Sequence, residues 1–438
     1  MINVLQFGEG NFLRAFAEDY INTANEKGIL DAQVTICQPR TNTRVINMLR
    51  EQNCTYNIYK RGRMNGEVVD ETVTINCVKE CINTAAEYDR LCDAFISTDV
   101  VISNTTEAGI VFDENDKMID SPNVSFPAKI TALLHKRYLT KGKPLLFLPV
   151  ELIENNADEL KKCILKYADL WELTDGFKGY VNSCSFCNTL VDRIVSGHTE
   201  GDSDKCSVNC EPYCSWIIQA DDLCRKIFDI TALDGVVFTD DIKPYRTRKV
   251  RILNGAHTMS VLAAYLCGFD IVRSMMQDKT FNRYILKGLS EVKTTLPLDR
   301  AELDSYANSV LDRFNNPFID HRLLDIALNS VSKFKVRCLD TINDYFKITG
   351  EAPDILCFGL AALTDFYMYS GVANDSEDVL DDFSKMKSAD ANTEINNVIA
   401  YFGITDELIA DRVRRHYLNI KNEGIRQAGQ EAVDGKII

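Results

Sequence analysis

The stretch Lys249–His257, KVRILNGAH, brings a Lys, an amide and an imidazole together without any metal-ligand pattern. At about 100° per residue on an α-helix, Lys249, Asn254 and His257 fall within roughly 140° of one another, spread over about 12 Å of axis. A long Lys can reach along that face to a carbonyl that Asn254 also touches. The same spacing suits an exposed helix start with a capping Asn, so the rest of the chain has to decide.

The elements that would position such a site begin at the N-terminus, INVLQFGEGNFLRAF. Ile2, Val4, Leu5 and Phe7 suit a buried strand, two glycines follow at once, and a helical pattern runs from about Asn11 to Asn25. Strand, Gly-x-Gly turn and helix form the entry to a dinucleotide-binding unit. There Gly8 allows the tight turn, Gly10 lets the backbone approach a pyrophosphate, and the helix start offers free N–H groups. The third glycine of the usual fingerprint is missing, because Leu13 stands in its place.

Composition narrows the function classes. The 438 residues suffice for two or three domains with real cores. With 49 basic against 64 acidic residues the net charge is −15, which argues against nonspecific nucleic-acid binding and against an anionic membrane surface. The first strand begins at Ile2 and no apolar run approaches spanning length, so the expectation is a cytoplasmic chain. Fifteen dispersed cysteines then read as reduced and mostly buried. Cys184 and Cys187 form a CxxC, and Cys206, Cys210 and Cys214 recur every four residues after His198, but no second CxxC or paired His supports zinc. No metal is expected.

From Ile2 to about Asp240 strands and helices alternate: Gln33–Gln38, a hairpin around Asn65-Gly66, Val100–Asn104, Pro144–Pro149 and Tyr180–Ser183 read as strands. Helices are expected at about Ala85–Ile96 and Asn156–Trp171. The alternation predicts a mostly parallel α/β sheet whose ligand lies beyond the carboxyl ends of the strands, where Gly8, Gln38 and Asn104 fall. After Asp241 helical periodicity dominates, in Thr258–Leu266, Phe281–Val292, Arg300–Asn315, Leu323–Phe334, Asp340–Thr349 and Ile355–Tyr369. Asp375–Asn392 reads as a polar surface segment. The expected organisation is a Rossmann-like dinucleotide-binding domain over residues 1–240 and an all-α substrate and catalytic domain over 241–438.

Taken together, QFGEGNFLRAF at Gln6–Phe16 and KVRILNGAHT at Lys249–Thr258 resemble the polyol-specific long-chain dehydrogenases, the family containing mannitol 2-dehydrogenase. The family signature K-x4-N-x2-H is met by Lys249, Asn254 and His257. The opening is similar to the tagaturonate reductase (altronate oxidoreductase) branch, where mannitol dehydrogenases usually carry a turn more like GFHRAH. NTTEAG at Asn104–Gly109, PVELIENN at Pro149–Asn156, FCNTLVDRIVSG at Phe186–Gly197 and NPFIDHRLLDIALNSVSKFKVR at Asn316–Arg337 extend the likeness over most of the chain.

The resemblance implies a metal-independent oxidoreductase that moves a hydride between a nicotinamide and a sugar carbon. Such chemistry needs a proton partner for the oxygen and donors for its developing charge. Lys249 is the expected general acid/base, Asn254 and Asn188 the oxyanion donors, and His257 an orienting group. Asn188 as a helix cap is the plain alternative. A hexuronate adds a carboxylate, for which Lys333 is the first candidate cation, with Arg337 and Arg251 behind it. Glu151 and Glu211 are candidates for hydroxyl binding. The dinucleotide site would draw on Gly8, Gly10, Asn11, Phe12, Gln38, Arg40, Asn104 and Glu107. The second strand ends TICQPR. Gln38 there can bind a ribose diol, Arg40 can meet a 2′-phosphate, and the resemblance implies NAD over NADP. The expected reaction is reduction of D-tagaturonate to D-altronate in hexuronate catabolism. Fructuronate reduction or a mannitol-type polyol dehydrogenase is the alternative, in a monomer or homodimer that binds neither nucleic acid nor membrane.

Overall fold

The computed structural model describes residues 1–38, 43–105, 108–118 and 125–435. Its first unit comprises Met1–Arg61 and Val69–Ile242, its second Gly62–Val68 and Lys243–Ile438.

The first unit is organised by six parallel strands. In chain order they are β1 (Ile2–Phe7), β2 (Ala32–Gln38), β5 (Val78–Asn83), β6 (Val100–Ser103), β7 (Leu146–Pro149) and β8 (Ser185–Phe186); the hairpin strands β3 (Tyr56–Met64) and β4 (Glu67–Ile75), between β2 and β5, belong to a separate sheet. The sheet order is β5-β2-β1-β6-β7-β8, so the winding reverses between β1 and β6. Crossing helices cover both faces: α1 (Asn11–Arg14), α2 (Ala17–Glu26), α3 (Arg44–Glu51), α4 (Tyr88–Ser97), α5 (Phe126–Leu139), α6 (Asn156–Leu170) and α7 (Asp175–Ser183). The central strands are apolar throughout, as burial on both faces requires; β6 and β7 have no exposed residue. One core packs around Phe16, Trp216 and Phe228, the other around Phe7, Phe95 and Phe147.

Most expected elements are present, with informative departures. The Asn65-Gly66 hairpin forms with both residues at positive φ, 54° and 81°, as a type I′ turn demands. The helix expected from Asn11 breaks at Ala15–Phe16, where Phe16 turns inward against Phe12, Tyr20 and Trp216. Tyr180–Ser183 is not a strand but the last turn of α7. Thr174 caps that helix at the Phe177 N–H, and Phe177 and Val181, four residues apart, bury the same face. Strand β5 was missing from the sequence expectation because Lys79 and Glu80 interrupt its apolar run.

The second unit is helical from Lys243 to Asp434, apart from the hairpin tip. The expected helix Leu323–Phe334 is two, Leu323–Ala327 and Ser330–Phe334, separated at Asn329 with φ 54°. The polar stretch after Asp375 contains a helix, Glu377–Met386, anchored by the buried Phe383. Within longer helices lie two π-helical stretches, Lys249–Asn254 and Lys335–Leu339. No described helix is long and apolar enough to cross a membrane.

Candidate functional site

At the carboxyl end of β1, Gly8 adopts φ +126°, and a Cβ there would stand 3.1 Å from both the Asn104 carbonyl oxygen and Leu13 Cδ1. Side chains rarely adopt that conformation, so both backbone and space demand glycine. Leu13 fills the room that a third glycine would leave open, which explains the departure from the fingerprint. Gly10 is different: a Cβ on it would meet nothing within 4 Å. Gly10 is exposed, and the open space beside it leaves room for a pyrophosphate. Because α1 is only four residues long, local N–H groups rather than a long helix dipole would do the binding. Asn11 accepts a hydrogen bond from Arg14 Nη2 at 2.6 Å, and Phe12 stacks on Phe16 at 4.9 Å, so Phe12 belongs at least partly to the packing.

Gln38 ends β2 with no solvent exposure, and among the described residues neither its Oε1 nor its Nε2 has a hydrogen-bond partner. A buried amide normally satisfies both groups, and leaving them unmade is costly. A ribose diol arriving at the end of β2 would supply the missing donor and acceptor. Open space at Gly10 and the unpartnered amide of Gln38 together fit a dinucleotide. Asn104, across the switch point, is occupied: its N–H donates to Phe7 O and its Nδ2 to Val150 O at 3.0 Å. Arg40 and Glu107 lie outside the described residues.

Three other polar candidates in this unit are committed to the protein itself. Asn188 Oδ1 accepts from the Ala157 and Asp158 N–H groups at 3.0 and 3.2 Å, and its Nδ2 donates to Asp158 and Gln219. All four of its hydrogen-bonding capacities are used, and it caps α6 from outside. These bonds fit the capping alternative and fix the orientation of the Asn188 amide. Glu151 accepts from the Thr105 N–H and hydroxyl and from the Ser103 hydroxyl, clamping the loop after β6, and burial raises its pKa. Glu211 accepts from the Ile194 N–H at 2.6 Å. Both carboxylates are buried and clamp backbone groups.

In the second unit Lys249 opens the first π-helical stretch and Asn254 closes it. The Gly255 N–H donates to Val250 O, five residues back. In an α-helix residues four apart are bonded and lie nearly one above the other; i→i+5 bonding transfers that relation to residues five apart. The wider turn therefore stacks Lys249 and Asn254 on one side, closer than the straight α-helix of the sequence argument allowed. Among the described residues the Asn254 side-chain amide has no partner, whereas its carbonyl accepts from Thr258 Oγ1 at 2.9 Å.

His257 follows on the same helix. Its ring lies 4.2 Å from Phe314 and 5.4 Å from His321. Its Nδ1 is buried and unpartnered. Burial, with the charges of His321, Arg313, Arg337 and Lys333 behind it, pushes its pKa well below the ordinary imidazole value, so the ring is neutral. The second π-helical stretch packs here. Its Arg337 donates to Thr258 Oγ1 at 3.3 Å, and Cys338 Sγ lies 3.9 Å from the Gly255 carbonyl. A Cβ on Gly255 would lie 3.7 Å from the Arg337 carbonyl, an ordinary contact distance.

The cations separate into two classes. Arg251 binds Asp344 at 2.6 Å and Thr295 at 2.9 Å, and Arg248 binds Glu302 at 2.6 Å while covering Tyr306. Arg251 is thus held away from the role of carboxylate receptor by a carboxylate of its own. Lys333 and Arg337 have no carboxylate within salt-bridge distance among the described residues, and burial holds both pKa values below their usual ranges. Lys333 donates only to Ile326 O at 2.9 Å. His321, Arg313 and Phe314 were not expected from sequence. Nothing in their spacing points to His257; the fold alone brings them to it.

Comparison with known proteins agrees with this division. Residues 2–231 match the mannitol dehydrogenase Rossmann domain and residues 241–420 the mannitol dehydrogenase C-terminal domain. The chain belongs to the mannitol dehydrogenase family. It is accordingly a dehydrogenase/reductase acting on a CH–OH group. Among relatives of this family member, altronate oxidoreductase from Bacillus subtilis (strain 168) is 38% identical over 402 residues, covering 87% of this chain and 83% of the relative. The enzyme of the same name from Pectobacterium atrosepticum is 40% identical over 384 residues, covering 83% and 78%. A substrate-free D-sorbitol dehydrogenase structure superposes with a TM-score of 0.81 at 18% identity, over 97% of this chain and 94% of that one. Pseudomonas fluorescens mannitol 2-dehydrogenase, in a ternary complex with NAD and D-mannitol, gives 0.66 at 20% identity, over 99% and 94%. These two establish the fold.

Proposed function

We propose that this mannitol dehydrogenase family member is a metal-independent, NAD-dependent reductase that interconverts D-tagaturonate and D-altronate in hexuronate catabolism. The observation that carries a sugar acid over a neutral polyol is the pair Lys333 and Arg337. Two partly buried cations, without a carboxylate partner among the described residues, stand on the elements packed around His257, and a substrate carboxylate would complete them. The names of the relatives support the same substrate class.

When bound, a nicotinamide dinucleotide would supply the hydride that reduces the carbonyl carbon. Lys249 donates a proton to the oxygen as its charge develops, and in oxidation the free amine takes that proton back. Asn254, stacked over Lys249 by the π-helical turn and without a partner of its own, donates a hydrogen bond to the same oxygen. His257, neutral, orients the substrate through an imidazole nitrogen. Lys333 and Arg337 hold the carboxylate and fix which end of the sugar faces Lys249. Gly8, Gly10 and Gln38 would seat the dinucleotide, with Gln38 on the ribose diol favouring NAD over NADP.

NADH oxidation followed by absorbance, with chelator present, tests this directly. Rapid turnover of tagaturonate, slow turnover of fructuronate and mannitol, and a weaker response to NADPH are expected. Preference for mannitol would overturn the carboxylate role of Lys333 and Arg337. Preference for fructuronate would keep those cations and move the assignment to a neighbouring sugar acid.

A further inference from the structure

Fifteen free cysteines are distributed through the chain, thirteen of them buried. Two pairs of thiols are in hydrogen-bonding contact. Cys187 and Cys224 form one, both in the closed core around Trp216. Cys54 and Cys81 form the other, with their sulfurs 3.7 Å apart. The second pair differs in its surroundings. It lines an open cavity of about 340 Å³ together with Arg50, Asn53, Lys79, Glu80 and Arg90.

Local backbone holds Cys54 in place. Asn53 and Cys54 are consecutive non-glycine residues at positive φ, 54° and 59°, in the turn that ends α3. Single left-handed residues of this kind are uncommon and strained, and they persist where the surroundings over-determine them. Here they aim the Cys54 thiol at β5. From the other side Arg50 Nη2 donates to the Cys81 carbonyl at 2.7 Å, tying the end of α3 to that strand.

We propose that Cys54 and Cys81 form a peroxide-sensitive dithiol, a modification site that closes to a disulfide between α3 and the edge strand of the sheet. The Cys81 hydrogen bond, with the Arg50 charge behind it, lowers the Cys54 pKa, while the same contact raises that of Cys81. Cys54, the more accessible of the two thiols and held in the turn after α3, is assigned as the attacking thiolate, and Cys81, on β5, as the resolving thiol. The Cys54 thiolate attacks one oxygen of hydrogen peroxide, the O–O bond breaks, and hydroxide leaves, taking up a proton to become water. Cys54 is then a sulfenic acid. The Cys81 sulfur attacks Cys54 Sγ, the S–O bond breaks, and a second water departs with the Cys81 proton. Two thiols are oxidised, one peroxide is reduced, and two waters form. The cavity admits the small oxidant, and Arg50 on its wall favours the thiolate, against the opposing charge of Glu80.

The two pairs supply an internal control. Full-length protein would be titrated with hydrogen peroxide, the remaining thiols alkylated, and the digest read by mass spectrometry. A Cys54–Cys81 cross-linked peptide is expected at peroxide concentrations at least tenfold below those that oxidise Cys187 or Cys224, reversed by dithiothreitol. In Cys81→Ser the Cys54 sulfenic acid should persist and be trapped by dimedone. In Cys54→Ser, Cys81 should stay reduced over the same range. Oxidation of Cys54 no faster than Cys187, or passage to sulfinic acid without bridging in the wild type, would overturn the proposal. The measurement on wild-type protein does not depend on either variant folding, nor on the substrate assignment.

Discussion

The candidate polar residues of the two units differ in one physical respect. In the sheet unit Asn188, Glu151, Glu211 and Asn104 spend their hydrogen bonds on the protein, capping α6 or clamping loops at the strand ends. In the helical unit, among the described residues, His257 leaves a buried nitrogen unpaired, the Asn254 side-chain amide has no partner, and Lys333 and Arg337 lack a carboxylate. A satisfied buried amide is scaffolding, whereas an unsatisfied one has kept its hydrogen-bonding capacity for a ligand. Gln38 is the telling exception in the sheet unit: unpaired, and located where a dinucleotide ribose would reach it.

The sharpest way to break this contrast is Lys249→Ala. Turnover should fall by about 10²–10⁴, the usual contribution of a general acid/base, with an unchanged circular dichroism spectrum. A loss within tenfold would remove Lys249 from the chemistry. Next, Asn254→Ala should lower kcat by about 10²–10³, as loss of one oxyanion donor does, with little change in KM. On the sheet side, Gly8→Ala should cost about 1–3 kcal/mol, because φ +126° and the 3.1 Å approach of the Asn104 carbonyl both oppose a Cβ. Its signature would be a lower thermal midpoint and a raised KM for the dinucleotide.

Asn188→Ala separates scaffold from catalyst. Loss of the α6 cap should cost about 0.5–2 kcal/mol in denaturant unfolding while kcat changes little. A fall of 10² or more in kcat at constant stability would return Asn188 to the oxyanion hole.

The smallest effect is on pH. Burial holds His416 at about 3 and pushes His257 well down, so both are neutral when folded. Unfolded, each takes up a proton below its ordinary value of about 6.5. Their stabilisation is therefore full above that pH and lost as pH falls toward the folded values. Each group adds a slope of about 1.4 kcal/mol per pH unit in that window. His416→Phe should flatten the decline by one proton's worth in pH-dependent unfolding, and an unchanged slope would show that the ring is already protonated in the native state.

Strand β1, Gly8, the Asn65-Gly66 turn and most helices after Asp241 were legible because each depends on residues adjacent in sequence. The misassigned Tyr180–Ser183 stretch failed for the same reason: its tyrosine and valine suit a strand, and only the Thr174 cap and the buried Phe177–Val181 pair reveal a helix. The contacts of Asn188 with the first N–H groups of α6 were not legible, because they join residues 31 and 30 positions apart.

By itself the sequence determined the order of the two units, the glycine turn after the first strand, and the Lys249–Asn254–His257 spacing. Local sterics and periodicity act between near neighbours along the chain, so they can be read there. Tertiary structure decided which polar groups are spent and which are spare. It widened the helix at Lys249–Asn254 into a π turn, paired Arg251 with Asp344, and gathered His321, Arg337 and Lys333 around His257. Hydrogen-bond satisfaction and desolvation depend on which distant side chains arrive, and only the packed fold fixes that.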